Sequence, residues 1–208
     1  RSGARLIHFS TDFVFDGTKG APYAETDPLA PLNVYGVTKA RGEAALRERL
    51  TAHVILRTSW VYGPHGSNFV KTMLRLGELR DEVGVVADQQ GSPTSARDLA
   101  DAILAITPRL LASDRLWGTY HLTGSGTATW HGLAAEIFAG AARRGAKVPR
   151  LKAITTADYP VPARRPRYSV LDNSKFVAAF GFALPDWHQS LDRTLDELLP
   201  AAAERHRA

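Results

Sequence analysis

Arg5-Leu6-Ile7-His8-Phe9-Ser10-Thr11-Asp12 and, after a turn-rich loop, Pro31-Leu32-Asn33-Val34-Tyr35-Gly36-Val37-Thr38-Lys39 are the two stretches that decide the fold. The first is an apolar run that reads as a strand buried on both faces and ending in a hydroxyl and a carboxylate, and a strand of that kind needs neighbours. The second opens a helix predicted over about 34–50, with Lys39, Arg41, Glu43, Arg47, Glu48 and Arg49 on its polar side. Tyr35 and Lys39 stand four residues apart and so share one helix face, where the lysine charge acts on the phenol. In an open parallel sheet such a strand end and helix start meet at a crevice, so Thr11, Tyr35 and Lys39 are a candidate proton-transfer site.

Working outward, the run from His53 to Gly63 is rich in β-branched and aromatic residues and predicts a second buried strand, which completes one strand–helix–strand unit. A helix is predicted over about 69–79, capped by Ser67 or Asn68, and a short strand over about 83–87. The loop Asp88-Gln89-Gln90-Gly91-Ser92-Pro93-Thr94 is dense in hydrogen-bonding groups. Ser95 and Asp98 have the spacing of a capping box, and Leu99, Ala102, Ile103 and Ile106 then repeat as the apolar face of a helix. A strand at 119–123, a helix capped by Thr129, a proline-rich crossing through Pro160, Pro162 and Pro166, a helix stopping at Gly181 and another starting at Asp186 follow, and 201–208 reads as a fraying tail. The alternation predicts an α/β fold: a doubly wound Rossmann-type parallel sheet with a smaller α/β unit. Residues 1–66 are assigned to the sheet, with 95–124 packing back on it; 67–94 and 125–208 are assigned mainly to the smaller unit.

With 208 residues, 44% of them hydrophobic, the chain can bury a substantial core. No apolar run approaches the roughly 20 residues of a membrane span, and a cytoplasmic protein is expected. Zero cysteines rule out disulfides and thiolate metal sites, and the seven histidines lack ligand spacing, so no metal is assigned. The net charge of +5 admits nucleic acid as a partner. Basic charge concentrates in 142–168, with Arg143, Arg144, Lys147, Arg150, Lys152, Arg164, Arg165 and Arg167 against Asp158, but only Tyr159 and Tyr168 could stack on bases. A solvated surface cluster and a site for a phosphorylated small molecule are the better readings.

Tyr-x-x-x-Lys alone is a weak signal; its context is not. Ser10-Thr11-Asp12-Phe13-Val14-Phe15-Asp16-Gly17, Glu25-Thr26-Asp27 and Tyr35 to Lys39 with Gly42-Glu43 come first. Arg57-Thr58-Ser59-Trp60-Val61-Tyr62, Asn68-Phe69, Gly91-Ser92-Pro93-Thr94, Tyr120-His121-Leu122, Arg165-Pro166 with Ser169, and Leu171-Asp172 follow in order. Together these resemble the extended short-chain dehydrogenase/reductases, and within them the dTDP-4-dehydrorhamnose reductase family, from about 6 to 199.

The resemblance implies NADPH- or NADH-dependent reduction of the 4-keto group of dTDP-4-dehydro-L-rhamnose. It makes Tyr35 the general acid, Lys39 the group that favours its ionisation and binds the cofactor ribose, and Thr11 the group that hydrogen-bonds the carbonyl oxygen. It places Asp12 and Trp60 on the sugar, a core tryptophan being the other reading of Trp60. Arg164, Arg165 and Arg167 are candidates for a diphosphate clamp, Arg165 foremost. A homodimer is possible. Some relatives use magnesium at an acidic dimer contact, and no acidic pair near Arg97 supports carrying this over.

The sequence departs from the family in lacking a glycine-rich turn after an opening strand: Gly124-Ser125-Gly126 comes too late and lacks the third glycine. A fragment lacking the first third of a reductase is therefore expected. Phe13 and Tyr168 stand where tyrosine and asparagine are common. A non-catalytic regulatory relative, and an epimerase or dehydratase of the same superfamily, stay open as alternatives.

Overall fold

The computed structural model describes residues 4–199. Three parallel strands form the main sheet in the order β1 (Leu6–Thr11), β2 (His53–Thr58) and β7 (Gly118–His121). The β1–β2 register runs from Leu6 opposite His53 to Thr11 opposite Thr58, and Arg57 of β2 lies opposite His121 of β7. All of β2 is buried, as a central strand must be. The expectation for β1 was of a strand buried on both faces; as the outer strand of this sheet it leaves Leu6 43% and Phe9 38% exposed, and only its end at Ser10 and Thr11 is buried.

Helix α1 (Val34–Arg49) crosses from β1 to β2. Its start is fixed by Asn33, whose Oδ1 accepts from the Gly36 amide at 2.9 Å. Helix α2 (Phe69–Leu79) is capped in the same way by Asn68, α3 (Ala96–Ala112) by Ser95, α4 (Trp130–Arg143) by Thr129, and α6 (Trp187–Leu198) by Asp186. Helix α5 (Ser174–Phe180) ends at Gly181, which adopts φ +76°.

Two cores result. Val54, Leu56, Leu99, Ile106, Tyr120, Leu122, Phe176 and Phe180 pack α3 and α5 onto the sheet, so α5 joins the core that 95–124 also covers. The other core gathers Val70, Met73, Leu133, Ile137, Leu191 and Leu195 from α2, α4 and α6, with Val83 and Val85 of β4 (Glu82–Val86). β4 pairs in parallel with β9 (Arg150–Ile154) inside the basic segment. Short pairings tie the remaining turns: β3 (Val61–Tyr62) runs parallel to β6 (Thr94–Ser95), and β5 (Gln90–Gly91) antiparallel to β8 (Ala128–Thr129); isolated bridges join Tyr23 to Leu171, Gln90 to Tyr168 and Ser125 to Asp186.

The basic segment is in large part internal bracing. Arg144 reaches Asp192 at 2.8 Å and Asp196 at 2.7 Å on α6, Lys147 reaches Asp81 at 2.9 Å, and Arg150 pairs with Glu82. No helix among the described residues is long and apolar enough to cross a membrane.

Candidate active site

Thr11 ends β1 in extended geometry and caps a short helical turn, Asp12–Val14: its Oγ1 accepts from the Phe13 amide at 3.2 Å. The same hydroxyl donates to Asp12 Oδ1 at 3.0 Å, while Ser59 donates to Asp12 Oδ2 at 3.1 Å. Asp12 is 2% exposed. Burial pushes its carboxyl up to about 6 against hydrogen bonds from Ser169, Thr11 and Ser59, which pull the other way.

The turn after β1 fits against the start of α1 because Gly36 has no side chain. A Cβ there would stand 2.2 Å from the Phe13 carbonyl oxygen and 2.8 Å from Pro31 Cβ. Close approach at Gly36 sets the preceding Tyr35 beside the turn, where its ring meets Phe13 edge-on with centroids 6.1 Å apart. Tyr35 is 54% exposed. Lys39, one helical turn on, donates to the Phe9 carbonyl at 2.6 Å and is thereby fixed over the end of β1.

Phe9, Ser10, Tyr35, Lys39 and Thr58 line one cleft of about 360 Å³, closed on its far side by α3 through Leu99 and Ile103. Residues from three separate segments thus share one opening at the carboxyl end of the sheet. The buried hydroxyl Thr58 Oγ1 has no hydrogen-bond partner among the described residues. The cleft and its lysine could hold the ribose of a nicotinamide nucleotide.

Trp60 interrupts the predicted second strand. It takes φ +47°, a left-handed conformation that a bulky residue adopts at a cost, and it splits the run into β2 and β3. Its indole stacks on Trp130, with centroids 3.6 Å apart and planes 8° from parallel, and Phe69 packs against Trp130 at 4.7 Å. A Cβ on Gly91 would stand 2.5 Å from Trp60 Cε2, so the loop after β4 must carry glycine there for the stack to form. Gly91→Ala is expected to cost about 1–3 kcal/mol through overpacking and to separate the two indoles. Far-ultraviolet circular dichroism checks this: the exciton couplet of the stacked pair should vanish in the variant, and a retained couplet would show that Gly91 does not seat Trp60.

Trp130 also borders a second cavity of about 460 Å³, lined by Val85, Val86, Gln89, Tyr159 and Arg165. Of the residues singled out from sequence, Tyr35 and Lys39 share the first cleft, Trp60 stacks on the wall that bounds the second, and Arg165 lies in the second. Thr11 and Asp12 sit buried next to the Tyr35 turn. The sequence reading quoted Ser59, Gly91 and Ser169 within the family motifs without giving them a role, and missed Trp130. Gly91 lay within a loop already marked as rich in polar groups, and Trp130 directly follows the cap of α4. Among the described residues no group of three or more His, Asp or Glu side chains is placed to hold a metal ion, and Arg97 pairs with Glu197 at 3.0 Å.

The family model described as the RmlD substrate binding domain matches residues 1–199. A dTDP-4-dehydrorhamnose reductase of Shigella flexneri is 47% identical over 203 residues, covering 97% of this chain and 68% of that protein. The solved dTDP-4-dehydrorhamnose reductase of Clostridium acetobutylicum superposes with a TM-score of 0.87 at 40% identity, covering 94% of this chain and 66% of that one. The Bacillus anthracis reductase, solved in complex with NADP, superposes at 0.84 with 38% identity, over 94% of this chain and 66% of that one. The chain thus spans about two thirds of the length of these relatives. Sequence, fold and the order of the motifs agree, and the chain belongs to the dTDP-4-dehydrorhamnose reductase family of NAD(P)H-dependent oxidoreductases.

Proposed function

We propose that these 208 residues supply the proton donor and the nucleotide-sugar side of a dTDP-4-dehydrorhamnose reductase. The observation that carries this is the single cleft at the strand ends that Tyr35 and Lys39 share; Arg165 lines a separate, second cavity. NADPH, when bound, supplies the hydride that reaches the carbonyl carbon of the sugar. Tyr35 holds the proton at its Oη and gives it to the developing alkoxide. Lys39, anchored on the Phe9 carbonyl, keeps a fixed positive charge one turn away. The Trp60–Trp130 stack offers a flat apolar wall for the sugar, and the second cavity, with Val85 and Val86 along one side and Arg165 at its edge, takes the thymidine diphosphate.

In this reading the part of the relatives' length that this chain does not span supplies the phosphate-holding turn for the cofactor. The same reading makes the protein a cytoplasmic enzyme, consistent with its lack of cysteine. The substrate side is tested on the chain itself by calorimetric titration with dTDP, which should bind. Arg165→Ala is expected to weaken that binding about tenfold, the worth of one charge-assisted hydrogen bond. An unchanged affinity removes Arg165 from the site.

A further inference from the structure

Asp12 was expected to touch the sugar, and in the structure it is held within a network of hydroxyls. The carboxylate is 2% exposed, and both of its oxygens are occupied by neighbouring hydroxyls, Thr11 on Oδ1 and Ser59 on Oδ2. Thr11 has one proton to donate, and here it goes to Asp12; its oxygen already accepts from the Phe13 amide. A threonine in this state can only accept a further hydrogen bond. A keto oxygen can only accept as well, so Thr11 cannot hold one while Asp12 is ionised.

We infer that Asp12 is a positioning residue whose protonation decides which way the Thr11 hydroxyl points, and so whether Thr11 can bind a ligand's carbonyl oxygen. With Asp12 neutral, its own O–H donates to Thr11 Oγ1, the direction of that hydrogen bond reverses, and the Thr11 proton is released toward the ligand. Ser59 keeps donating to Oδ2 in both states, and the reversal falls on the hydrogen bond between Thr11 and Asp12. No covalent bond is made or broken; one proton enters from solvent at Asp12 Oδ1.

The ionisable groups on the elements around Asp12 are balanced or committed elsewhere. On α1, the Lys39 ammonium is held by the Phe9 carbonyl, and Tyr35 faces the cleft. On β2, Arg57 is paired with Glu43 at 2.7 Å. In the segment carrying Ser169, Asp172 is bonded to Ser174 at 2.9 Å, and Arg167 completes the set. The causes acting on Asp12 are burial and hydroxyl hydrogen bonds rather than a neighbouring charge, and they bring its proton loss to about 6, within reach of ordinary buffers.

This inference rests on the proposed function only in taking a 4-keto sugar nucleotide as the ligand. The test has one arm without ligand and one with it. In the free protein, the Thr11 side-chain carbon resonances should shift with pH around a midpoint near 6 and stay flat in Asp12→Asn; a flat wild-type response overturns the inference whatever binds. In the second arm, dTDP-4-dehydrorhamnose is titrated calorimetrically at pH 5 and pH 7.5, each affinity taken relative to dTDP alone on the same variant at the same pH. The wild-type ratio should be about fivefold higher at pH 5, the worth of one net hydrogen bond. Asp12→Asn, whose amide donates to Thr11 at any pH, should keep the higher ratio at both. Thr11→Val should keep the lower ratio at both. A low ratio for Asp12→Asn at both pH values would instead make Asp12 a direct sugar contact. Failure of dTDP to bind at all would overturn the proposed function and leave the ligand-free arm to decide this one.

Discussion

Replacing Tyr35 by phenylalanine is expected to slow ketone reduction by about 100- to 10,000-fold, the range over which a positioned general acid contributes. The substitution removes one oxygen and keeps the ring, so the edge contact with Phe13 and the close fit at Gly36 are preserved. Lys39 should hold its place as well, because its anchor is the Phe9 carbonyl and not the phenol. Binding of dTDP, assigned in the proposed function to the second cavity, should therefore stay within a factor of two while the rate falls, a separation that a folding defect would not produce. The assay follows NADPH absorbance with dTDP-4-dehydrorhamnose, on the 208-residue chain and on a chain lengthened to the extent of the relatives. Turnover that survives the substitution in either would sink the role given to Tyr35. Turnover confined to the longer chain would place the phosphate-holding turn outside these residues.

How much of this was readable beforehand depends on whether the deciding signal is local. The helices were legible because their ends are written in side chains: Asn33, Asn68, Ser95, Thr129 and Asp186 each accept from an amide of the first turn, and Gly181 ends α5 in a conformation that glycine adopts without cost. The Tyr35–Lys39 pair was legible for the same reason, since a helix fixes four-residue spacing. What failed was non-local. An apolar run says that a strand has somewhere to be buried, not what covers it, and within the described residues β1 is the outer strand of its sheet with Phe9 partly open. The unbroken β-branched run around Ser59 and Trp60 hides a left-handed residue whose cause, the stack on Trp130 against Gly91, comes from segments far along the chain. β9 was masked by its charges: Arg150 and Lys152 alternate with apolar neighbours, yet the segment's basic excess dominated the reading. The hydroxyl partners of Asp12 were not legible, because resemblance carries a residue's position but not its hydrogen-bond partners.

Replacing Arg57 by methionine is expected to cost about 3–5 kcal/mol at neutral pH, the price of leaving a buried carboxylate without its partner. Arg57 is 2% exposed and Glu43 is fully buried, and the guanidinium holds both carboxylate oxygens, Nε on Oε1 at 2.9 Å and Nη2 on Oε2 at 2.7 Å. Arg47, also bonded to Glu43 but 39% exposed in its side chain, cannot make up the loss. The pair clamps α1, two turns beyond Tyr35, onto the central strand.

Acid should narrow the gap between variant and wild type. In the wild type burial pushes the Glu43 carboxyl up, but the hydrogen bonds and charge of Arg57 outweigh it and hold it below the ordinary range. Its contribution is therefore present above the ordinary carboxylate range and is lost as pH falls through the lowered value. Without Arg57, burial prevails, and protonation relieves the variant as pH falls.

His121 acts in the same direction. Arg57 donates to its Nε2 at 3.3 Å, which leaves Nδ1–H to donate to the Tyr23 carbonyl at 2.9 Å. Burial first and the Arg57 charge second lower its pKa to about 3, so the wild type loses stability as pH falls from the ordinary histidine value toward that figure. Removing Arg57 lifts part of that penalty. Thermal melts at pH 7.5 and pH 5 check both effects, with a deficit of about 10–20 °C expected at the higher pH and a smaller one at the lower. Glu43→Met in the same chain should recover much of the loss. An equal deficit at both pH values would mean that the pair acts through packing of the arginine stem and not through charge.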